Sequence, residues 1–134
     1  MIGVLVVTHG SIGEALLTSA AQILGVTPQQ VTTLSVWRQD DPDDLVLRAR
    51  ELLEGLDAGD GVLVLTDIFG ATPGNVVSRL LEDGRVEGVS GASLPMLLRV
   101  LTGRNGSLSA AVQRALSGGA EGVVHMNTDR CLDA

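Results

Sequence analysis

Aromatic side chains are almost missing from this chain: Trp37 and Phe69 are the only two in 134 residues, and there is no tyrosine. A surface built to stack nucleic-acid bases would have almost nothing to stack with. Lysine is absent altogether, the nine basic residues all being arginine. That excludes a Walker A phosphate loop, a protein-kinase fold and Schiff-base chemistry, each of which needs a lysine. Cys131 stands alone, so there is no disulfide framework, and a reducing compartment is the simple expectation. Long hydrophobic runs are also lacking. "IGVLVV" at 2–7 is too short for a signal-peptide core and has no basic flank; "LPMLLRVL" at 94–101 is broken by Arg99 and cannot cross a bilayer. A cytoplasmic protein is expected. The formal charge of −7 repels phosphate backbones and anionic lipid from the average surface, so no nucleic-acid partner is expected.

What is present is an ordinary apolar fraction, 45%, in a length that suits a single domain over residues 1–134. Val, Leu, Ile and Ala must build its core. Short apolar runs alternate with helix-period segments. "IGVLVVT" (2–8), "VTTLSV" (31–36), "GVLVLT" (61–66), the weaker "VEGVSG" (86–91) and "EGVVHM" (121–126) read as strands. Between the first two lies a stripe of Ile12, Leu16, Ala20, Ile23 and Leu24. Asp41 caps the next helix with Pro42 at its first position, burying Leu45, Ala49, Leu52, Leu53 and Leu56. Thr72–Pro73 opens a third helix with Val76, Val77, Leu80 and Leu81 inward and Gly84 closing it. Ser93 caps a fourth, striped by Leu94, Leu97, Leu98 and Leu101; a fifth starts near Ser107 and carries Leu108, Val112, Ala115 and Leu116. The alternation predicts an α/β fold, a doubly wound, mainly parallel sheet in three layers.

In such sheets ligands collect beyond the carboxyl ends of the strands. Thr8-His9-Gly10 follows strand one, and Thr66-Asp67 through Gly70 follows strand three. These strands are neighbours in the common doubly wound order, and neighbouring strands lie about 4.8 Å apart. A carboxylate at Asp67 that accepts a hydrogen bond from one nitrogen of His9 leaves the other nitrogen free to attack phosphorus. Helix N-termini would supply donors to the incoming oxygens, Gly10 would let the backbone approach, and Thr72 would add a hydroxyl. His9 and Asp67 are therefore the candidate catalytic residues, and Gly10, Gly70 and Thr72 the candidate phosphate-binding ones. Plainer readings exist for several of these: a lone histidine is often structural, a post-strand aspartate often caps a turn, and Thr72 can simply cap its helix. "DDPDD" (40–44) lacks the Gly and distal Glu of a calcium loop and reads as charge at the start of a helix. His125, inside an apolar strand, reads as structural. Two histidines and one cysteine make no zinc spacing, so no metal is expected.

"VVTHG" (6–10), "LTDIFGATPGN" (65–75), "GASLPMLLRVL" (91–101) and "EGVVHM" (121–126) fall in the order seen in the mannose-family IIA phosphocarriers of the bacterial phosphoenolpyruvate-dependent phosphotransferase system, and the chain resembles that family over nearly its whole length. The resemblance implies that His9 takes a phosphoryl group from the phosphohistidine of HPr and passes it to a IIB partner, with Asp67 paired to the ring and Thr72 at the phosphate-binding helix start. It implies strand order 2-1-3-4 plus an antiparallel C-terminal strand, "EGVVHM", commonly exchanged within a homodimer. It also implies a transfer that needs no cofactor, neither metal nor nucleotide, and contact with the membrane only indirectly, through a permease complex. Two positions depart from the family pattern: Ala71 stands for the second glycine of "GGTP", and Ser93 for an asparagine before "LPM". Two alternatives stand beside this resemblance: the phosphoryl donor subunit of dihydroxyacetone kinase, which uses a related IIA-like domain, and, from a different class, small tetrapyrrole metal chelatases, which also carry a histidine-glycine turn after strand one. The chelatase would need His125 as a second ligand.

Overall fold

A computed structural model describes residues 1–128; Cys131 and the rest of the tail lie outside the described residues. Four strands and five helices alternate as β1 (Gly3–His9), α1 (Ile12–Leu24), β2 (Val31–Val36), α2 (Pro42–Leu56), β3 (Val62–Thr66), α3 (Thr72–Ser78), β4 (Val86–Ser90), α4 (Leu94–Leu101) and α5 (Leu108–Glu121). The sheet runs β2-β1-β3-β4, with every pair parallel. β1 is an unbroken apolar run because both of its faces are covered. Leu5 and Val7 face one apolar cluster with Leu45, Val46, Leu53, Val76 and Val77 of α2 and α3. Val4 and Val6 face a second, with Ala20 of α1, Leu97 of α4 and Ala111 and Ala115 of α5. Successive strand residues point to opposite faces, so one run of sequence supplies two cores and the three-layer order follows.

The caps fall where small polar residues precede the apolar stripes. Asp41 accepts the amide of Asp43 at 2.9 Å, Ser93 that of Met96 at 3.3 Å and Ser107 that of Ala110 at 3.1 Å. α1 ends at Gly25, whose φ of 72° is left-handed.

Four residues expected inward are exposed. α1 rests on the sheet through Gly13 and Ala20, and Ile12 and Ile23 stay in solvent. α3 ends at Ser78, so Leu81 leaves the helix before it can turn inward; Leu116 borders the open edge of β4.

The fifth strand needs a larger correction. "EGVVHM" forms no strand among the described residues: Glu121 completes α5, and 122–128 is irregular and exposed. The reason lies in the small residues that precede it. Gly118 packs so closely on α4 that a Cβ there would sit 2.7 Å from Cβ of Arg99, and Gly122 packs equally tightly on Pro95. The helix therefore runs on against α4, and the chain emerges beside the start of α4 with no sheet neighbour. His125 accordingly lies in an exposed turn, its Nδ1 3.0 Å from Oγ1 of Thr128, not in an apolar strand.

Two other contacts lock the frame. Arg104, buried in the α4–α5 loop, donates to the carbonyl of Gln29 at 2.7 Å and so ties that loop to the one before β2. Gly3 lets β1 start against the end of α2, where an added Cβ would lie 2.5 Å from the carbonyl oxygen of Leu56. Backbone atoms cannot yield as a side chain would. Gly3→Ala is expected to lower stability by about 1–3 kcal/mol, read as a lower urea midpoint with unchanged slope.

Candidate active site

β1 and β3 are hydrogen-bonded neighbours with Val7 opposite Thr66, so the residues that leave each strand's carboxyl end come out side by side. The backbone N–H of His9 donates to Oδ2 of Asp67 at 3.1 Å, and Nδ1 of its ring lies 2.8 Å from the same oxygen. One carboxylate oxygen thus holds a residue 58 positions away by main chain and side chain together. The Asp67 side chain is 12% exposed and that of His9 48%, so the anchor is sheltered and the ring open.

Burial pushes the Asp67 pKa up, but the hydrogen bonds from the His9 ring and backbone, together with the charge that ring can carry, outweigh it and hold the carboxyl below its ordinary value. An ionised carboxylate only accepts, so the ring must present Nδ1–H to it. Nε2 then keeps its lone pair. Oδ1 of Asp67 is buried with no protein partner, as is Oγ1 of Thr66 just before it.

The other candidates occupy the same end of the sheet. Gly10 has φ of 50°, donates its N–H to the carbonyl of Val36 at 2.9 Å, and lies under the indole of Trp37, where a Cβ would come within 3.2 Å of the ring. Conformation and space both require glycine there. Gly70 has φ of 86° and open space around it, so only its conformation matters. Thr72 is the first residue of α3 and is exposed; Ala71 takes the cap position and no side chain caps it. The plain reading of Thr72 as a helix cap is therefore incorrect. The acidic run is spent on structure: Asp40 accepts the amide of Trp37 at 2.8 Å, Asp41 caps α2, and Asp43 pairs with Arg79 at 2.8 Å. Among the described residues no group of three His, Cys, Asp or Glu side chains could hold a metal ion.

An apolar rim escaped the sequence reading. Ile12 at the start of α1 and Trp37, Ile68 and Phe69 on the loops that leave β2 and β3 are exposed, with Phe69 81% exposed. Both aromatics of the chain stand on loops that follow strands at the His9 end. The signal was their position, immediately and three residues after a strand, in a chain that otherwise does without them.

The EIIA-man family, described as the PTS (phosphotransferase system) fructose IIA component, matches residues 3–116. The chain belongs to this family. As an EIIA component it is 32% identical over 125 residues to the mannose-specific EIIAB component of Escherichia coli K12, covering 91% of this chain and 38% of that protein. It therefore spans well under half the length of that relative. It is 31% identical over 103 residues to the fructose-specific EIIA component of Bacillus subtilis 168, covering 76% of this chain and 70% of the relative. Its fold superposes on phosphotransferase system component EIIA from Streptococcus agalactiae with a TM-score of 0.85 at 26% identity, over 96% and 99% of the two chains. Membership in a phosphotransferase family sets aside the chelatase reading of the histidine-glycine turn.

The depressed Asp67 pKa links this EIIA site to stability. Its contribution is complete above the ordinary carboxylate pKa of about 3.9 and is lost as pH falls below that, through the native value. Urea unfolding between neutral and strongly acidic pH should show wild type losing stability more steeply than Asp67→Asn. Parallel curves would contradict the coupling.

Proposed function

We propose that His9 carries a phosphoryl group, received from the phosphohistidine of an HPr-type carrier and passed to a IIB partner, in sugar uptake or a regulatory phosphorelay. The observation that supports this most directly is the division of labour on the imidazole, with Nδ1 held by a sheltered carboxylate and Nε2 left to solvent. In the step, the Nε2 lone pair forms a new P–N bond while the donor's P–N bond breaks and its imidazole leaves with that electron pair. The phosphorylated ring gains imidazolium character, which Asp67 offsets. Gly10, Gly70 and Thr72 receive the phosphoryl oxygens. Bonds of one type are exchanged, so the step is close to thermoneutral. Alignment and charge stabilisation remain as the protein's task.

The apolar rim suits a protein partner better than a sugar, whose hydroxyls would find few acceptors there. No helix among the described residues is long and apolar enough to cross a membrane. That suits a cytoplasmic carrier, 1–134 acting as one IIA domain, which reaches the membrane only through a permease complex.

Self-association follows from the other edge of the sheet. β4 has one neighbour, β3, and its open side borders a cavity of about 340 Å³ whose lining includes Leu81, Gly88, Val112 and Leu116. The same chain exposes Val123, Val124 and Met126 with no sheet to join. In a homodimer each segment would pair along the partner's β4, giving both a place.

Incubation with phosphoenolpyruvate, enzyme I and HPr should add one acid-labile, alkali-stable phosphate per chain. Label should be absent in His9→Ala and acquired roughly 100-fold more slowly in Asp67→Ala. Label that survives in His9→Ala would sink the assignment. In sedimentation velocity the wild type should run as a dimer and Val124→Asp/Met126→Asp as a folded monomer; a monomeric wild type would remove the dimer.

A further inference from the structure

Three polar side chains are buried among the described residues: Thr8, Thr66 and Arg104. Two of them directly precede His9 and Asp67 at the carboxyl ends of β1 and β3. Thr8 lies on the face of β1 that carries Val4 and Val6, where valine would suit the core equally well. A buried hydroxyl is unfavourable there unless it is bonded. Its bond is specific: Oγ1 of Thr8 accepts the N–H of Gly13, the second residue of α1, at 2.8 Å.

Gly13 is matched to it. A Cβ on Gly13 would lie 3.1 Å from Oγ1 of Thr8 and 3.2 Å from Cγ1 of Val6, tighter than ordinary contact. Glycine allows the first turn of α1 to come down onto the strand end, and the threonine hydroxyl holds it there. The loop between them, residues 9–12, contains the nucleophile. It is bracketed on the other side by the Gly10 N–H on Val36 and by the His9 N–H on Asp67. Gly10, with φ of 50°, is the pivot about which this loop would turn if one bracket were released.

We infer that Thr8 is a positioning residue for phosphoryl transfer: by closing the loop onto Gly13, its hydroxyl keeps the His9 ring on Asp67 with Nε2 outward. This rests on the proposed role of His9, but the state of the ring can be read without any phosphoryl transfer.

Three variants test it: Thr8→Val, which keeps shape and removes the acceptor; Thr8→Ser, which keeps the acceptor; and Gly13→Ala, which crowds the contact. Ring ¹⁵N shifts of His9 above its titration range report the tautomer, with His125 as an internal reference. Wild type and Thr8→Ser should show the Nδ1–H form, and Thr8→Val and Gly13→Ala a mixture. Phosphorylation at saturating donor should slow by about tenfold in Thr8→Val and Gly13→Ala, with the donor KM little changed, and recover in Thr8→Ser. A merely structural role would lower the melting temperature and leave tautomer and turnover intact in the folded protein. Should Thr8→Val not fold, Gly13→Ala carries the same reading. Wild-type tautomer and turnover in the folded Thr8→Val or Gly13→Ala variant overturns the inference, as does failure of Thr8→Ser to rescue. A wild type that takes no phosphoryl group, yet shows the tautomer shifts, would fail the role of His9 and leave the clamp standing.

Discussion

A single carboxylate oxygen, Oδ2 of Asp67, accepts both the main-chain amide and the ring nitrogen of His9, and the chemistry available to this protein depends on that double contact. The main-chain bond fixes where the histidine starts, and the side-chain bond fixes which way its ring faces. Neither alone would define the placement of the imidazole. Because the oxygen is sheltered while the ring is half in water, the pair is electrostatically firm on one side and open to solvent on the other.

That contact can exist only because the sheet brings two chain-distant strand ends together. The β1–β3 pairing depends in turn on β1 being apolar on both faces, so that it sinks to the middle of the three layers with α2 and α3 below and α1, α4 and α5 above. Hydrophobic burial supplies the drive, but the strand ends are polar. Thr8, Thr66 and Asp67 lie where the apolar layers give way to solvent; Oγ1 of Thr8 accepts the amide of Gly13, while Oγ1 of Thr66 and Oδ1 of Asp67 are buried with no protein partner. The site is thus the rim of the core.

Membership in the EIIA-man family and the site geometry are independent observations that fit one another. The family match covers the strands that deliver His9 and Asp67. The exposed rim of Ile12, Trp37, Ile68 and Phe69 is a feature of this chain's own surface, and it accounts for the two aromatics the core does not use. At the other edge of the sheet β4 has β3 as its one neighbour among the described residues, and the 122–128 segment is exposed.

By itself the sequence determined the alternation of strands and helices and the caps at Asp41 and Ser93, while the meeting of His9 with Asp67 was legible only through the common doubly wound order that makes their strands neighbours. The alternation and the caps follow from local chemistry and a period of two or 3.6 residues, which hold wherever the segment ends up. Only the tertiary structure decided the rest. Whether Ile12 or Leu116 is buried depends on how close small residues such as Gly13 let a helix approach, and "EGVVHM" has β-forming residues but no neighbouring strand among the described residues. A strand exists by virtue of its partner's hydrogen bonds, and no single segment encodes its partner. Thr8 was invisible for the same reason: its meaning is one bond to an amide in the next element, formed only once α1 has docked.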